Sequence, residues 1–84
     1  MSRLKIDLHP IRADGRAIDR TLADAIEQAE RKRIKTVEII PGKGSGQLRK
    51  RVLRFLDRAD VKPRYHRVEK DSKNSGRVFV HFRH

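Results

Sequence analysis

The spacing of apolar residues changes several times along this chain, and these changes most constrain the fold that it can form. In residues 4–8 every second side chain is apolar, which is typical of a strand with one covered face. From residue 14 to about residue 33 the apolar side chains recur every three or four positions, which predicts a helix with Asp14 as its N-cap. Residues 36–40 are a β-branched run, which predicts a second strand that Pro41 ends.

The same signals continue after a glycine-rich segment. An apolar stripe within residues 48–59 predicts a second helix, for which Ser45 is a candidate N-cap. Residues 64–68 carry a weak signal for a third strand, residues 73–76 have turn chemistry, and residues 77–83 alternate again as a final strand. The predicted order of elements is therefore β-α-β-α-β-β.

This order predicts an α+β fold, a two-layer sandwich. Helical crossovers make the first three strands parallel, and the closing turn adds an antiparallel strand, so the four-stranded sheet is mixed. Because the first and last strands alternate instead of reading as continuous apolar runs, we expect both helices on one face of the sheet. The chain has 84 residues and no internal repeat, so residues 1–84 are expected to form one domain.

Positive charge is in large excess, with 22 Lys and Arg against 11 Asp and Glu and a formal net charge of +11. Residues 47–84 hold twelve of the basic and four of the acidic side chains. Such an excess predicts a polyanionic partner, above all nucleic acid bound mainly through its phosphates, with acidic lipid or acidic protein as alternatives. Tyr65 and Phe79 are the only aromatic residues expected outside the core, so base stacking should contribute little.

Several classes of protein are excluded. No apolar run approaches the roughly 20 residues of a membrane span, and the first residues lack a signal-peptide core, so we expect a cytoplasmic protein without membrane contact. The chain has no cysteine, which excludes disulfides and thiolate metal sites. No cofactor is predicted, and participation of a divalent ion such as magnesium is left open.

Two chemically suitable segments should meet at the carboxyl ends of the first two strands, where open sheets bind ligands. Asp7 and His9 are expected on the same face of the first strand, so that the carboxylate orients the imidazole for proton transfer. The alternative is an ordinary polar face of an exposed strand. His81, on the last strand, is a further candidate neighbour of Asp7, depending on the strand order.

The glycine-rich segment after Pro41 is suited to hold a phosphate. Its glycines directly precede a helix, where free amides and the helix dipole favour an anion. The alternative is a plain strand-to-helix turn. The predicted phosphate or nucleic-acid contacts, in this segment and along the second helix, are Gly42, Lys43, Gly44, Ser45, Gly46, Arg49, Lys50, Arg54 and Arg58.

Residues 4–9 and 39–49 resemble the two motifs of one family. Leu-Lys-Ile-Asp-Leu-His resembles the L-D-L-H motif, and Ile-Ile-Pro-Gly-Lys-Gly-Ser-Gly-Gln-Leu-Arg resembles the I-H-G-x-G-x-G-x-L-R motif, of the Smr (small MutS-related) domain. The resemblance covers essentially the whole chain and suggests a single-domain member. It implies a β-α-β-α-β-β sandwich similar to the C-terminal domain of bacterial translation initiation factor three.

The resemblance also implies a function, because members of this family nick DNA or cleave RNA, and some act on messenger RNA at stalled or collided ribosomes. Asp7 and His9 correspond to the acid and imidazole of the first motif, and the glycines at 42, 44 and 46 with Arg49 correspond to the second. The chain has Pro41 where the second motif usually has His, and Pro10 where the first usually has Gly. An endonuclease is the favoured interpretation, and a non-catalytic module that binds RNA, DNA or the ribosome is the alternative.

Overall fold

The elements follow one another in the predicted order in a computed structural model, which describes residues 3–42, 46–70 and 77–83. The strands of this described part are β1 (Arg3–Asp7), β2 (Thr36–Ile40), β3 (Arg67–Lys70) and β4 (Val78–His81), and its helices are α1 (Gly15–Lys32) and α2 (Gln47–Leu56). Two short 3₁₀ turns, His9–Ile11 and Lys62–Arg64, precede α1 and β3. The predicted fold class, an α+β domain with a mixed four-stranded sheet, is confirmed.

The strands lie in the order β1-β2-β4-β3. Strand β1 pairs with β2 in parallel, whereas β4 is antiparallel to both of its neighbours, β2 and β3. The first three strands therefore point the same way, as predicted, and the last strand in sequence lies inside the sheet.

One face of the sheet is apolar and packs against the helices. Val37 pairs with Leu4 on one side and with Val80 on the other, so the row crosses three strands, and both valines are fully buried. The helices contribute Ile18, Leu22, Ala25, Ile26, Ala29, Val52, Phe55 and Leu56 to the same core. Placing the apolar faces of both helices and of the sheet in one core produces the two predicted layers.

The opposite face of the sheet is polar and carries a buried carboxylate. Glu38, at the centre of β2, is only 4% exposed. Its carboxylate accepts a hydrogen bond from Arg77 at 2.8 Å and lies 3.6 Å from the guanidinium of Arg3, so the buried charge is paired. The guanidinium of Arg3 also lies 5.8 Å from the centre of the half-buried Phe79 ring.

Helix α1 begins where its sequence predicts. The Asp14 side chain accepts hydrogen bonds from the amides of Arg16 and Ala17, each at 3.1 Å, which confirms Asp14 as the N-cap. Neither helix of the described residues has the length and apolar content that crossing a membrane requires.

The bounds of helix α2 differ from the prediction at both ends. Its N-cap residue is Gly46, so Ser45, which lies outside the described residues, does not occupy that position. The helix ends at Leu56, because the chain turns after Asp57 and buries Val61, whose amide donates to the carbonyl of Arg58 at 3.0 Å. Residues 58 and 59 therefore belong to a turn.

The prediction of a third strand over residues 64–68 was wrong in its bounds, because β3 begins at Arg67. Pro63 lies in the second 3₁₀ turn, and the buried Tyr65 donates its hydroxyl to the carbonyl of Leu56 at 2.7 Å, which holds this segment against α2. Burial raises the pKa of the Tyr65 hydroxyl above its ordinary value, and the side chain is not available for base stacking. The predicted turn over residues 73–76 lies outside the described residues.

Candidate functional site

Strands β1 and β2 end side by side and bring two predicted segments together. The amide of Leu8 donates to the carbonyl of Ile40 at 2.9 Å, which extends the parallel pairing by one bond. Beyond this bond, the segment after β1 enters the first 3₁₀ turn at His9. The segment after β2 passes through the buried Pro41 to Gly42. The predicted meeting of the two segments at this rim of the sheet is confirmed by their contact, which we call the His9–Gly42 rim.

The imidazole of His9 packs against the backbone of Gly42. A Cβ atom added at Gly42 would lie 3.2 Å from Nδ1 of His9, so the ring would have to shift by a few tenths of an ångström. Gly42 also has a φ of 92°, a conformation that side chains rarely adopt. Glycine is thus favoured at position 42 for two reasons, the backbone angle and the close approach of the imidazole.

Asp7 does not hold the imidazole in the way that the sequence predicts. Strand β1 ends at Asp7, and Leu8 has helical angles (φ −90°, ψ −5°), so His9 does not continue the alternation of the strand. The Asp7 carboxylate accepts a hydrogen bond from the backbone amide of His9 at 2.9 Å. Asp7 therefore fixes the backbone at the start of the turn.

Arg12 contacts the imidazole, and the sequence analysis missed it. Its Nη1 donates to the carbonyl of His9 at 2.9 Å and lies 3.4 Å from Nε2 of the same residue. A 3₁₀ turn has three residues per turn, so side chains three positions apart lie above one another. The sequence does contain a signal for this contact. Arg12 follows His9 by three residues, and Pro10 between them favours the first turn of a helix.

The beginning of α2 contributes the second part of the rim. Gly46 has a φ of 85°, and open space surrounds the position where its Cβ would be. Arg49, in the first turn of α2, is half-buried, and its Nε is buried without a hydrogen-bond partner among the described residues. Lys43, Gly44 and Ser45 lie outside the described residues, so their predicted contacts stay predictions.

A groove between α1 and α2 concentrates guanidinium groups. It is lined by Asp19, Arg51, Arg54, Phe55 and Arg58. Arg51 is held in place, because it donates to both carboxylate oxygens of Asp19 and to the carbonyl of Gly15. We call this feature the α1–α2 groove.

The predicted nucleic-acid contacts Arg54 and Arg58 both lie in the α1–α2 groove. Arg58, predicted on the helix, lies in the turn after it, where its guanidinium pairs with Asp60 at 3.0 Å and lies 5.3 Å from the centre of the Phe55 ring. Arg54 is exposed, and its side chain makes no hydrogen bond or ion pair with the described residues. Lys50 is exposed on α2 outside the groove lining.

His81 belongs to a different part of the sheet from Asp7. Its Nε2 lies 2.9 Å from a carboxylate oxygen of Glu69, and its Nδ1 lies 3.3 Å from the hydroxyl of Thr36. Thr36 begins β2, whereas Asp7 pairs with Ile40 at the end of that strand, so the predicted proximity was wrong. In the described part of the chain, no group of three or more His, Cys, Asp or Glu side chains is arranged to hold a metal ion.

Comparison with known families produced one match. A family model described as the Smr domain matches residues 6–83, which include residues 6–9 of the first motif, all of the second motif, and all of the described secondary structure except the start of β1. Searches of curated proteins and of solved structures found no match.

Proposed function

The chain belongs to the Smr domain family, and we propose that it binds nucleic acid and cleaves or nicks phosphodiester bonds in RNA or DNA. Membership of this family implies interaction with nucleic acid, and cleavage is the finer statement that we add. The contact between His9 and Gly42 carries the proposal, because it joins a proton-transfer group to a segment suited to hold a phosphate.

The anion-binding half of the proposal rests on the start of α2. Gly46 occupies the N-cap and has no side chain that accepts a hydrogen bond from the first amides of the helix, so these amides can bind an anion. Arg49 belongs to the same first turn, and its buried Nε–H has no hydrogen-bond partner among the described residues. We assign the guanidinium of Arg49 and the ammonium of Lys43 as the cations that contact this phosphate.

The path of the nucleic acid follows from the position of Arg54. Arg54 is seven residues beyond the first residue of α2, which is about 10 Å along the helix axis. A stacked strand advances about 3.4 Å per nucleotide, so this distance corresponds to roughly three nucleotides. We therefore propose that one strand contacts the rim and, about three nucleotides away, Arg54 and Arg58, with Lys50 between them.

The chemical half of the proposal assigns proton transfer to His9. An imidazole changes protonation state near neutral pH, and it is exposed here beside the backbone that would hold the phosphate. His9 acts as general base or general acid, while Asp7 holds the amide of His9 and so fixes where the turn begins. The amides of the glycine segment and Arg49 would stabilise the negative charge that develops on the phosphoryl oxygens.

A second candidate function is a non-catalytic module that binds RNA, DNA or a ribosomal surface. One observation favours it: the side chain that follows β2 is the buried ring of Pro41, which can neither donate nor accept a proton. This module would use the same anion-binding groups without cutting the strand.

The test compares cleavage and binding by wild-type protein and His9→Ala on labelled single- and double-stranded RNA and DNA, with and without magnesium. General acid or base catalysis contributes roughly 10²- to 10⁴-fold, so we expect His9→Ala to slow cleavage by at least about 10²-fold. Affinity should change little, because the phosphate contacts remain.

His66→Ala is the matched control, because His66 is an exposed histidine whose hydrogen bond to β4 uses its backbone amide. It should cleave at the wild-type rate. If wild-type protein binds but leaves every substrate intact, the non-catalytic function is correct. Cleavage by His9→Ala at the wild-type rate would show that His9 is not the proton-transfer group.

A further inference from the structure

Arg12 lies against the ring nitrogen of His9 that is directed away from Gly42. Nδ1 is the imidazole atom closest to the Cβ position of Gly42, whereas Nε2 lies 3.4 Å from Nη1 of Arg12. The guanidinium is itself anchored, because the same Nη1 donates to the carbonyl of His9 at 2.9 Å. The two ring nitrogens therefore have different neighbours.

The chemistry of these neighbours distinguishes the two neutral forms of the imidazole. A guanidinium donates hydrogen bonds and accepts none, and it stays protonated at any pH relevant to a folded protein. A nitrogen that faces it must offer a lone pair. In a neutral imidazole one nitrogen carries the proton and the other accepts, so an accepting Nε2 requires the proton on Nδ1.

We propose that Arg12 is a positioning residue, which holds His9 in the Nδ1-protonated tautomer and keeps Nε2 unprotonated. The backbone around His9 is fixed from both sides, by Asp7 at its amide and by Arg12 at its carbonyl. The use of this tautomer rests on the proposed function, in which the Nδ1–H faces the segment at Gly42 and donates a hydrogen bond to the phosphate held there. The tautomer itself does not depend on that function.

The tautomer is measured directly by ¹⁵N NMR of the imidazole rings at about pH 8.5, where histidines with the ordinary pKa of about 6.5 are neutral. The chemical shifts of the two nitrogens separate a protonated from an unprotonated atom, and the His9→Ala spectrum assigns the His9 signals. An unconstrained histidine side chain in water favours the proton on Nε2, so a predominant Nδ1–H form at His9 requires a cause.

His81 provides an internal reference, because its neighbours favour the proton on Nε2 and not on Nδ1. Its Nε2 faces a carboxylate of Glu69, which accepts hydrogen bonds only, and its Nδ1 faces the hydroxyl of Thr36, which can donate. His81 should therefore show the Nε2–H form in the same spectrum in which His9 shows the Nδ1–H form.

Three variants test whether Arg12 is the cause. Arg12→Met keeps an unbranched side chain but removes the donor and the charge, and the Nδ1–H fraction of His9 should fall below one half. Arg12→Lys retains a cationic donor and should restore part of that fraction. Arg16→Met removes an equal charge from an exposed arginine whose side chain makes no hydrogen bond or ion pair within the described residues, and should leave the fraction unchanged.

A predominant Nε2–H form at His9 in wild-type protein overturns the proposal, and so does an unchanged fraction in Arg12→Met. Cleavage assays on the same variants separate this failure from a failure of the proposed function. If the tautomer responds to Arg12 but no substrate is cut, the positioning is correct and the assignment of an endonuclease is wrong.

Discussion

Gly42 and Gly46 have nearly the same backbone conformation, with φ angles of 92° and 85°, but different surroundings. A Cβ at Gly42 meets the His9 ring, whereas a Cβ at Gly46 meets no atom within 4 Å. Comparing these two glycines therefore separates the effect of the left-handed backbone angle, which both have, from the effect of a close neighbour, which only Gly42 has.

Alanine substitution at each glycine should show this difference. The left-handed conformation costs roughly 1–2 kcal/mol for a residue with a Cβ, so Gly42→Ala and Gly46→Ala should both lose about that much free energy of unfolding in urea titrations. Gly42→Ala should lose more and should also shift the NMR signals of the His9 imidazole, because its Cβ displaces the ring. Unchanged His9 signals in Gly42→Ala would contradict the close contact.

At this scale the sequence predicted which residues meet but not how they interact. His9 and Gly42 were predictable because each follows a strand end, and neighbouring parallel strands end at the same rim. The contact from Asp7 to the backbone and the contact from Arg12 to the imidazole depend on the helical angles of Leu8, and no periodicity in the sequence reports those angles.

The two helices differ in how the free amides of their first turns are hydrogen-bonded. Helix α1 begins with Asp14, whose carboxylate accepts from two amides of the first turn. Helix α2 begins with Gly46, which has no side chain to do the same. One helix start is therefore capped by a side chain, whereas within the described residues no side chain caps the start of α2, where we propose that a phosphate binds.

Removal of the α1 cap should measure the cost of leaving such amides unpaired. Asp14→Ala should lower the free energy of unfolding by about 0.5–2 kcal/mol, because two hydrogen bonds are lost at once. Asp24→Ala is the control, since Asp24 is exposed on α1 and its side chain makes no hydrogen bond or ion pair with residues that the structure describes. This variant should change stability by less than about 0.5 kcal/mol. Equal losses in the two variants would show that the cap contributes nothing.

Elements with a clear apolar pattern were predictable, including the short strand β2, whereas the weakly patterned β3 was predicted with the wrong bounds. Helix α1 has five buried residues at helical spacing and begins at the predicted cap. Strand β3 has four residues, of which only Val68 is half-buried, so its bounds depend on how the 3₁₀ turn and Tyr65 dock on α2. That docking is a tertiary contact, which local composition does not encode.

For the whole molecule, the effect of the net charge of +11 on phosphate binding depends on which basic side chains are not already paired. Many basic side chains of the described residues are already paired with carboxylates, as Arg51 is with Asp19 and Arg64 is with Glu30. Arg54 has no such partner in the described part of the chain, so binding a phosphate there breaks no ion pair that the structure shows.

The salt dependence of binding should therefore respond to Arg54. Each phosphate contact contributes about 0.7–0.9 to the slope of log K against log salt concentration, so Arg54→Gln should reduce the slope by about that amount and weaken binding similarly for all sequences. Arg31→Gln, an exposed cation on α1 outside the lining of the α1–α2 groove, removes the same charge and should leave the slope nearly unchanged. Equal effects of the two variants would favour a diffuse electrostatic attraction over a defined contact.

The internal position of β4 has a consequence for how the domain is made. Val37 pairs with Val80, and β3 is joined to the sheet only through β4. Because synthesis proceeds from the N-terminus, β2 leaves the ribosome with one open edge, and β3 leaves it with no place in the sheet. A nascent chain stopped before Val78 lacks β4, the strand that joins β2 to β3. The sheet is therefore completed only when β4, the last strand in sequence, inserts between β2 and β3, which are already made.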